Sequence, residues 1–164
     1  MAGDVLSTFR GVHDHGRCTD DALATAEALC AEKGLRLTAL RRRVLELVWS
    51  RHQPVRAYDL LEDLRAERRR AAPPTVYRAL DFLIANRLVH RIESLNAYVG
   101  CAGPRNPHVG QFLICRKCSA VAELNDGEIA RTVARKARGL GFTVERQTIE
   151  IAGLCPQCGG TRAA

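Results

Sequence analysis

The sequence lacks the long apolar segments and the leader that membrane and secreted proteins carry. No apolar run among its 164 residues approaches the roughly 18 residues needed to cross a bilayer, and the first 16 residues are too polar for a secretory signal. Internal repeats, low-complexity tracts and a Ser/His/Asp or activated-cysteine arrangement are also missing from the sequence. We therefore expect a cytoplasmic protein that is not an enzyme.

Lysine is scarce, and arginine supplies 22 of the 25 basic side chains. The formal net charge of +7 is concentrated between residues 34 and 91, which hold 13 basic and 6 acidic residues, whereas the rest of the chain is balanced. Basic charge gathered in one segment indicates a polyanionic partner, most often nucleic acid. A solvated basic face is the alternative.

Hydrophobic periodicity predicts four helices in this half of the chain, followed by two short strands. The predicted buried stripes are Leu40, Val44, Leu47 and Val48 on the second helix, Ala57, Leu60, Leu61 and Leu64 on the third, and Val76, Leu80, Leu83 and Ile84 on the fourth. Asp20 or Asp21 can cap the first helix, which ends near Lys33, and Thr38 can cap the second. The third helix follows Pro54, the fourth runs from Thr75 to about Asn86 after two prolines, and the strands cover Val89 to Glu93 and Ala97 to Val99. Helices followed by a hairpin predict a winged helix-turn-helix domain.

Four of the seven cysteines form two Cys-x-x-Cys pairs, Cys115 with Cys118 and Cys155 with Cys158. A tight turn in each pair can direct both sulfurs to one side, so that the two pairs complete the tetrahedral thiolate set that zinc prefers. Four thiolates leave no position for water, so this zinc would be structural. Free cysteines or a redox pair are the alternative, although a redox motif normally opens a helix.

A loop rich in glycine and proline separates the predicted hairpin from a shorter region with more strands. There we predict strands at Gln111 to Ile114, Ala120 to Glu123 and Thr143 to Ala152, with a helix from about Asp126 to Arg138 between the last two. About 55 residues of this kind bury little surface alone, so we expect dimerisation and a structural metal. The predicted class is α+β, with a flexible tail (1–19), a winged-helix domain (20–100), a hinge loop (101–110) and a small α/β dimerisation domain (111–164).

These motifs together carry a resemblance to a known family. The run from Pro73 to Leu83 reads PPTVYRALDFL, and it is followed by Leu88-Val89-His90 and then by the two cysteine pairs. This order, over roughly Asp20 to Gly160, resembles the ferric uptake regulator superfamily and, within it, the zinc uptake regulator branch. The resemblance implies a homodimeric bacterial transcription factor that binds operators and represses zinc-uptake genes when it is loaded with zinc.

The resemblance also implies two zinc ions per protomer, one structural and one regulatory. It assigns the structural ion to Cys115, Cys118, Cys155 and Cys158, and the regulatory ion to His90, Cys101, His108 and Glu123. Spacing alone does not identify the second set, but a set that includes sulfur suits zinc, whereas an Fe(II) sensor is expected to use only nitrogen and oxygen. The His-rich segment of iron and peroxide sensors is reduced here to residues 106–110, which argues against those functions.

Exposed positions on the fourth predicted helix are candidates for contacts with DNA bases. Arg78 can bind guanine O6 and N7, and Tyr77 can pack against a thymine methyl group. The resemblance adds Tyr58, and the whole predicted DNA-binding set is Tyr58, Thr75, Tyr77, Arg78, Arg41, Arg42, Arg43 and Arg56. Glu62 and Arg65 either connect two dimers on one operator or form an i, i+3 pair.

The main hypothesis from the sequence is therefore a zinc-sensing repressor that binds duplex DNA. The alternatives are a thiol-disulfide oxidoreductase and a zinc-ribbon interaction module. The basic charge argues against the second alternative, because it lies in the helical half and not around the cysteine pairs. His13, His15 and Cys18 form a tail without a counterpart in the family, for which a weak extra metal site is an alternative to disorder.

Overall fold

The computed structural model describes residues 4–7, 9, 15–51, 53–67 and 71–160. The chain divides into two compact units, one formed by residues 11–105 and the other by residues 1–10 together with 106–164. The first unit is built from helices and a two-stranded wing, and the second from a four-stranded sheet, so the predicted α+β class is confirmed. No helix in the described part of the chain has the length and apolar character needed to cross a membrane.

Four helices form most of the first unit: α1 (His15–Glu32), α2 (Ala39–Trp49), α3 (Ala57–Ala66) and α4 (Pro73–Ala85). Gly34 follows α1 with a φ of 65°, the left-handed conformation that commonly ends a helix. The Thr38 side chain accepts a hydrogen bond from the N–H of Arg41 at 3.4 Å and caps α2, as predicted. Proline at the start of α4 suits positions whose N–H groups have no partner within the helix.

One face of each helix contributes to the core of this unit. The stripe predicted on α3 is confirmed, because all four of its members are buried: Ala57, Leu60, Leu61 and Leu64. The stripes on α2 and α4 are shifted slightly from the prediction. Leu45 and Ala79 are buried, whereas Leu40 and Ile84 lie at the edge of the core.

The wing consists of β2 (Val89–Ile92) and β3 (Ala97–Gly100), which form the predicted antiparallel hairpin. A short 3-10 turn connects them, and Asn96 ends it with a φ of 46°, a conformation that Asn adopts more readily than most residues. Val55 and Tyr98 exchange two backbone hydrogen bonds of 2.9 and 2.8 Å. These bonds attach the wing to the segment that precedes α3.

The second unit contains the strands β1 (Asp4–Ser7), β4 (Gly110–Cys115), β5 (Val121–Asn125) and β6 (Thr148–Gly153). Their order in the sheet is β1-β5-β4-β6; the first three are antiparallel neighbours, and β6 is parallel to β4. Parallel neighbours need a long crossover, and here β5 and the helix α5 (Gly127–Gly139) supply it. A short helix, α6 (Pro156–Gly159), follows the last strand.

α5 is amphipathic, yet none of its residues is buried. The Asp126 carboxylate caps the helix by accepting hydrogen bonds from the N–H groups of Glu128 and Ile129 at 2.8 and 3.2 Å. Val133 and Leu140 are 42% and 87% exposed. An amphipathic helix with an exposed apolar face marks an interaction surface.

The largest differences from the predicted boundaries are at three places. α1 begins at His15 and includes Asp20 and Asp21, because no residue between Arg17 and Asp20 interrupts a helix. Residues 4–7, predicted to be flexible, form a strand because β5 supplies their backbone partners. β6 begins at residue 148 and not at 143, because its six residues pair one for one with those of β4.

The predicted hinge loop contains the boundary between the units, which falls after residue 105. His13 and the side chain of His15 lie outside the described residues, so the suggested role of this tail stays a prediction. Cys18 lies in α1 and is half-buried.

Candidate metal centres and DNA-binding surface

The two Cys-x-x-Cys pairs meet at one edge of the sheet in the second unit. Cys115 ends β4 and lies opposite Gly153, the last residue of β6. Because these strands are parallel, their carboxyl ends lie side by side. The turns that follow the two strands, one with Cys118 and the other with Cys155, therefore leave the sheet at the same edge.

Backbone hydrogen bonds shape each of these turns. The N–H of Ser119 donates to the carbonyl of Cys115 at 2.9 Å, and Ser119 has a φ of 58°. The N–H groups of Cys158 and Gly159 donate to the carbonyl of Cys155 at 2.9 and 2.8 Å. Each turn thus directs both of its sulfurs to one side, as predicted from the spacing.

The geometry of the four sulfurs fits a zinc ion. All four lie within 4.8 Å of one another, and those of Cys118 and Cys155 are 3.7 Å apart. A tetrahedron with Zn–S bonds of about 2.3 Å has edges of about 3.8 Å, whereas a disulfide requires about 2.05 Å. All four cysteines are free thiols. The set therefore matches a closed structural zinc site better than a redox pair.

The four thiols also influence one another's protonation. Backbone N–H groups, foremost that of Cys155, lower the pKa of Cys115 to about 6. Hydrogen bonds to neighbouring sulfurs, foremost that of Cys155, raise the pKa of Cys158 to about 12. Four adjacent thiols cannot all ionise against their mutual repulsion, but coordination to a metal deprotonates them.

A second group of candidate ligands includes His108 and Glu123, both in the second unit. Nε2 of His108 is 2.7 Å from Oε1 of Glu123, and Nδ1 is 2.8 Å from the carbonyl oxygen of Asn106. The two side chains are only 2% and 3% exposed. A neutral ring that donates from Nδ1 to a carbonyl has its lone pair on Nε2. Two acceptor atoms at this distance require a proton or a metal cation between them.

The other two predicted regulatory ligands, His90 and Cys101, lie at the wing of the first unit. His90 pairs with Val99, and the N–H of Cys101 donates to the carbonyl of Leu88 at 3.1 Å, which continues the ladder beyond β3. Alternate residues of a strand face the same way, and residues directly opposite each other share a face. The wing therefore presents the imidazole of His90 and the thiol of Cys101 on one face.

Tyr77 and Arg78 project from α4 into solvent, as predicted. Tyr77 is 51% exposed, and Thr75 and Arg78 are also exposed. Within the described residues, the Arg78 guanidinium has no hydrogen-bond or ion-pair partner. Its donor groups are therefore available to an external acceptor.

Tyr58 and Arg56 lie at the start of α3 and are also exposed, Tyr58 by 64%. The Tyr58 hydroxyl donates a hydrogen bond to Glu62, which raises the pKa of Tyr58. The nearby Arg65 Nε donates instead to the carbonyl of Ala71 at 3.4 Å. Glu62 and Arg65 therefore contact different groups of their own unit.

Arg41 and Arg43, two of the three consecutive arginines on α2, are engaged within their own unit. The guanidinium of Arg41 lies 3.6 Å from the centre of the Phe82 ring, a cation–π contact. Arg43 forms ion pairs with Glu67 and with Glu46, the latter at 2.8 Å, and both carboxylates raise the pKa of Arg43. These contacts reduce the suitability of both arginines for phosphate binding.

Arg42 is the more accessible member of this run. It pairs with Glu27 at 2.8 Å, and the two side chains are 47% and 53% exposed. Exposed ion pairs contribute little in water because solvent and salt screen them. Arg42 can therefore exchange Glu27 for an external phosphate at small cost.

Comparison with known proteins identifies the family. The profile described as "Ferric uptake regulator family" matches residues 32–152. The chain belongs to the ferric uptake regulator family. It is 43% identical over 144 residues to the "Zinc uptake regulation protein" of Escherichia coli (strain K12), which covers 85% of this chain and 82% of that protein. The protein of the same description from Mycobacterium tuberculosis (strain ATCC 25618 / H37Rv) is 30% identical and covers 76% of this chain and 95% of that protein.

Solved structures of zinc uptake regulators are also similar to this member of the ferric uptake regulator family. "Zinc Uptake Regulator Complexed With Zinc AND DNA" matches with a TM-score of 0.83 and 40% identity, and covers 89% of this chain and 98% of that chain. The crystal structure of holo XcZur matches with a TM-score of 0.80 and 44% identity, and covers 86% of this chain and 99% of that chain. The predicted zinc uptake regulator branch is thereby confirmed.

Membership in this family of transcriptional regulators decides between the hypotheses from the sequence. The chain is a regulator and not an enzyme, so the thiol-disulfide oxidoreductase alternative is wrong. The zinc-ribbon module alternative is also wrong, because the family match extends through the helical half.

Several supporting residues of this family member were missed by the sequence analysis. The carbonyl of Asn106 orients His108, Phe9 packs against the cysteine cluster, and Glu67 holds Arg43 from 24 positions away. A backbone carbonyl carries no sequence signal, and the other two contacts join residues far apart in the chain. Only the acidic character of Glu67 gave a hint of an ion pair.

Proposed function

We propose that this chain is a DNA-binding repressor that occupies the operators of zinc-uptake genes when it is loaded with zinc. The observation that carries this proposal is the presence of two different donor sets in a zinc uptake regulator of the ferric uptake regulator family. Four thiolates form a closed site that suits a permanent ion, whereas a mixed set of imidazole, thiol and carboxylate suits a reversible one. Such a regulator acts on DNA in the cytoplasm.

The regulatory site in this proposal consists of His90, Cys101, His108 and Glu123. Support comes from the donor types and from the buried His108–Glu123 pair, whose Nε2 and Oε1 atoms face each other at 2.7 Å. Zinc supplies no catalytic chemistry here, since four protein ligands leave no open position. His90 and Cys101 belong to one unit and His108 and Glu123 to the other, so ligation by all four side chains would connect the units.

DNA recognition in this proposal depends on α4 and the start of α3. Arg78 reads a guanine, Tyr77 contacts a thymine methyl group, and Thr75 and Tyr58 help to position the helix. Their exposure supports these roles, as does the lack of a partner for the Arg78 guanidinium among the residues that the structure describes. Arg56 and Arg42 are the better phosphate ligands, while Arg41 and Arg43 would first have to leave their partners.

The second unit supports a homodimer. The apolar face of α5 is exposed at Ile129 and Val133, and Ile151 of the edge strand β6 is 47% exposed. A second copy of the chain would cover such a surface, because symmetric association is the commonest way to bury one patch against itself. We further propose that Glu62 and Arg65 connect neighbouring dimers on one operator, since both lie exposed beside Tyr58.

Zinc and DNA are coupled in this scheme by pre-organisation. In a dimer, free movement between the units makes the distance between the two α4 helices variable. That distance must match half-sites about 34 to 36 Å apart on one face of the duplex. Ligation by residues of both units restricts that movement. Since one conformation binds both partners, zinc and operator must tighten each other's binding by the same factor.

The test uses purified full-length protein and a pool of random 30-base-pair duplexes, selected at buffered free zinc concentrations with metal content measured on the same samples. Wild-type protein should enrich one sequence only when the second zinc is bound. Cys101→Ser and His108→Ala should keep the four-thiolate zinc and the dimer but enrich none. Cys18→Ser is the matched control and should behave as wild type. Zinc-dependent enrichment by Cys101→Ser would refute the assignment of the regulatory site.

A further inference from the structure

The only tryptophan of the chain lies against the last residue of the wing. Trp49 ends α2, and its half-buried side chain packs at the edge of the core of the first unit. A Cβ atom placed on Gly100 with ideal geometry would lie 2.2 Å from Cε2, 2.4 Å from Nε1 and 2.7 Å from Cζ2 of Trp49. Carbon atoms in van der Waals contact are about 3.5 to 4.0 Å apart, so the indole occupies the space of any larger side chain.

Gly100 and the two wing ligands lie on opposite faces of the hairpin. Gly100 is opposite Val89, and these two share the face that is buried in the core. His90 and Cys101 occupy the neighbouring positions in the two strands, so their side chains point away from that face. The indole of Trp49 therefore supports the wing from behind the two candidate ligands.

We propose that Trp49 is a positioning residue for the regulatory zinc. Only glycine at position 100 leaves room for the indole to support the wing. The inference rests on the proposed role of His90 and Cys101 as ligands. Their backbone is held by the Val89–Gly100 pair and by the hydrogen bond from Cys101 to Leu88, so contact with the indole sets the position of both donors.

The geometry indicates how strongly a side chain at position 100 should affect zinc binding. A Cβ at position 100 would have to move by roughly 1 Å to reach an ordinary contact distance from the indole. Metal–ligand distances tolerate only about 0.2 Å. A methyl group on the core face of the wing should therefore disturb zinc binding on the opposite face without touching a ligand.

The first experiment is a double-mutant cycle on full-length protein that retains its four-thiolate zinc. Affinity for the second zinc is measured by competition with a chelator for Gly100→Ala, Trp49→Ala and the double variant. We expect Gly100→Ala to weaken this affinity roughly 10- to 100-fold, as for other residues that orient ligands. The double variant should bind nearly as well as Trp49→Ala, because removal of the indole makes room for the methyl group.

Gly139→Ala is the matched control, because a Cβ there meets nothing within 4 Å, and it should leave the affinity unchanged. Wild-type affinity in Gly100→Ala would overturn the inference. A double variant that binds the second zinc as weakly as Gly100→Ala would also overturn the inference, because the loss of affinity would then not be caused by contact with the indole.

A second measurement remains decisive if Gly100→Ala does not fold. The emission of Trp49 is followed while zinc is added to wild-type protein whose four-thiolate site is filled, and it should change until one further equivalent is bound. Cys101→Ser should show no such change. A wild-type protein that binds the second zinc with constant emission would contradict the role of Trp49. A Cys101→Ser protein that still binds it would contradict the proposed regulatory site instead.

Discussion

The two units of this protein are stabilised by different means. In the first, α1 to α4 and the wing enclose a continuous cluster of buried aliphatic side chains. In the second, α5 has no buried residue, and Cys115 and Cys155 share a small buried cluster with Ala120. Apolar packing can hold the first unit together alone, whereas we expect the second to depend on its structural metal and on the partner surface of the proposed dimer.

Removal of one thiolate should give the largest difference between the units. Structural zinc in small domains contributes roughly 10–16 kcal/mol of apparent binding free energy at neutral pH, comparable to the stability of a whole domain. Cys118→Ser should therefore lose zinc, unfold the second unit and abolish the dimer while the first unit stays folded. Metal analysis, sedimentation and amide hydrogen exchange resolved by unit would measure these outcomes.

The control for this experiment is Cys18→Ser, a half-buried cysteine of α1 outside both candidate metal groups. It should retain zinc and the dimer. A stable, dimeric Cys118→Ser protein would mean that the second unit folds without its metal, and the contrast between the units would then be incorrect.

A cavity in the first unit should destabilise that unit and leave the second unit folded. The effect should be smaller than that of removing a thiolate. Leu64 is completely buried in α3, and Leu64→Ala should lower the free energy of unfolding of this unit by about 2–5 kcal/mol. The four-thiolate zinc should remain bound. Chemical denaturation followed by Trp49 emission reports the first unit, and loss of zinc at the same denaturant concentration would show that the units do not unfold separately.

Arg78→Ala tests the first unit as a reader of DNA sequence. It should cost about 1–3 kcal/mol on the selected duplex and relax the preference at one base pair, because bidentate contact with guanine is lost. Fluorescence anisotropy with selected and scrambled duplexes measures both effects. Equal losses on the two duplexes would remove Arg78 from base recognition.

Arg42→Ala should have the smallest effect of the four. Its ion pair with Glu27 is exposed, so the thermal stability of the first unit should not change measurably. Binding should weaken equally on selected and scrambled duplexes. The slope of log K against log[salt] should become shallower by the amount expected for about one lost phosphate contact. A change in sequence preference would place Arg42 at a base and not at a phosphate.

The sequence predicted those features of the fold and of the sites that depend on local patterns. The stripe on α3, the proline start of α4, the hairpin and the four cysteines all carry signals within a few residues of one another. β1 and the start of β6 were missed because their limits are set by strands far away in the chain. Phe82 and Glu67, the distant partners of Arg41 and Arg43, were missed for the same reason, since a run of arginines does not show which members are engaged.

The N-terminal strand has a consequence for the order in which the protein is made. β1 leaves the ribosome first, but Ser7 pairs with Glu123, which is synthesised more than a hundred residues later. At the usual rates of translation this interval is on the order of ten seconds, long enough for the helices and wing of the first unit to fold. The sheet beside which the four cysteines gather is thus completed last, and we expect the newborn chain to acquire its structural zinc only after its first unit has folded.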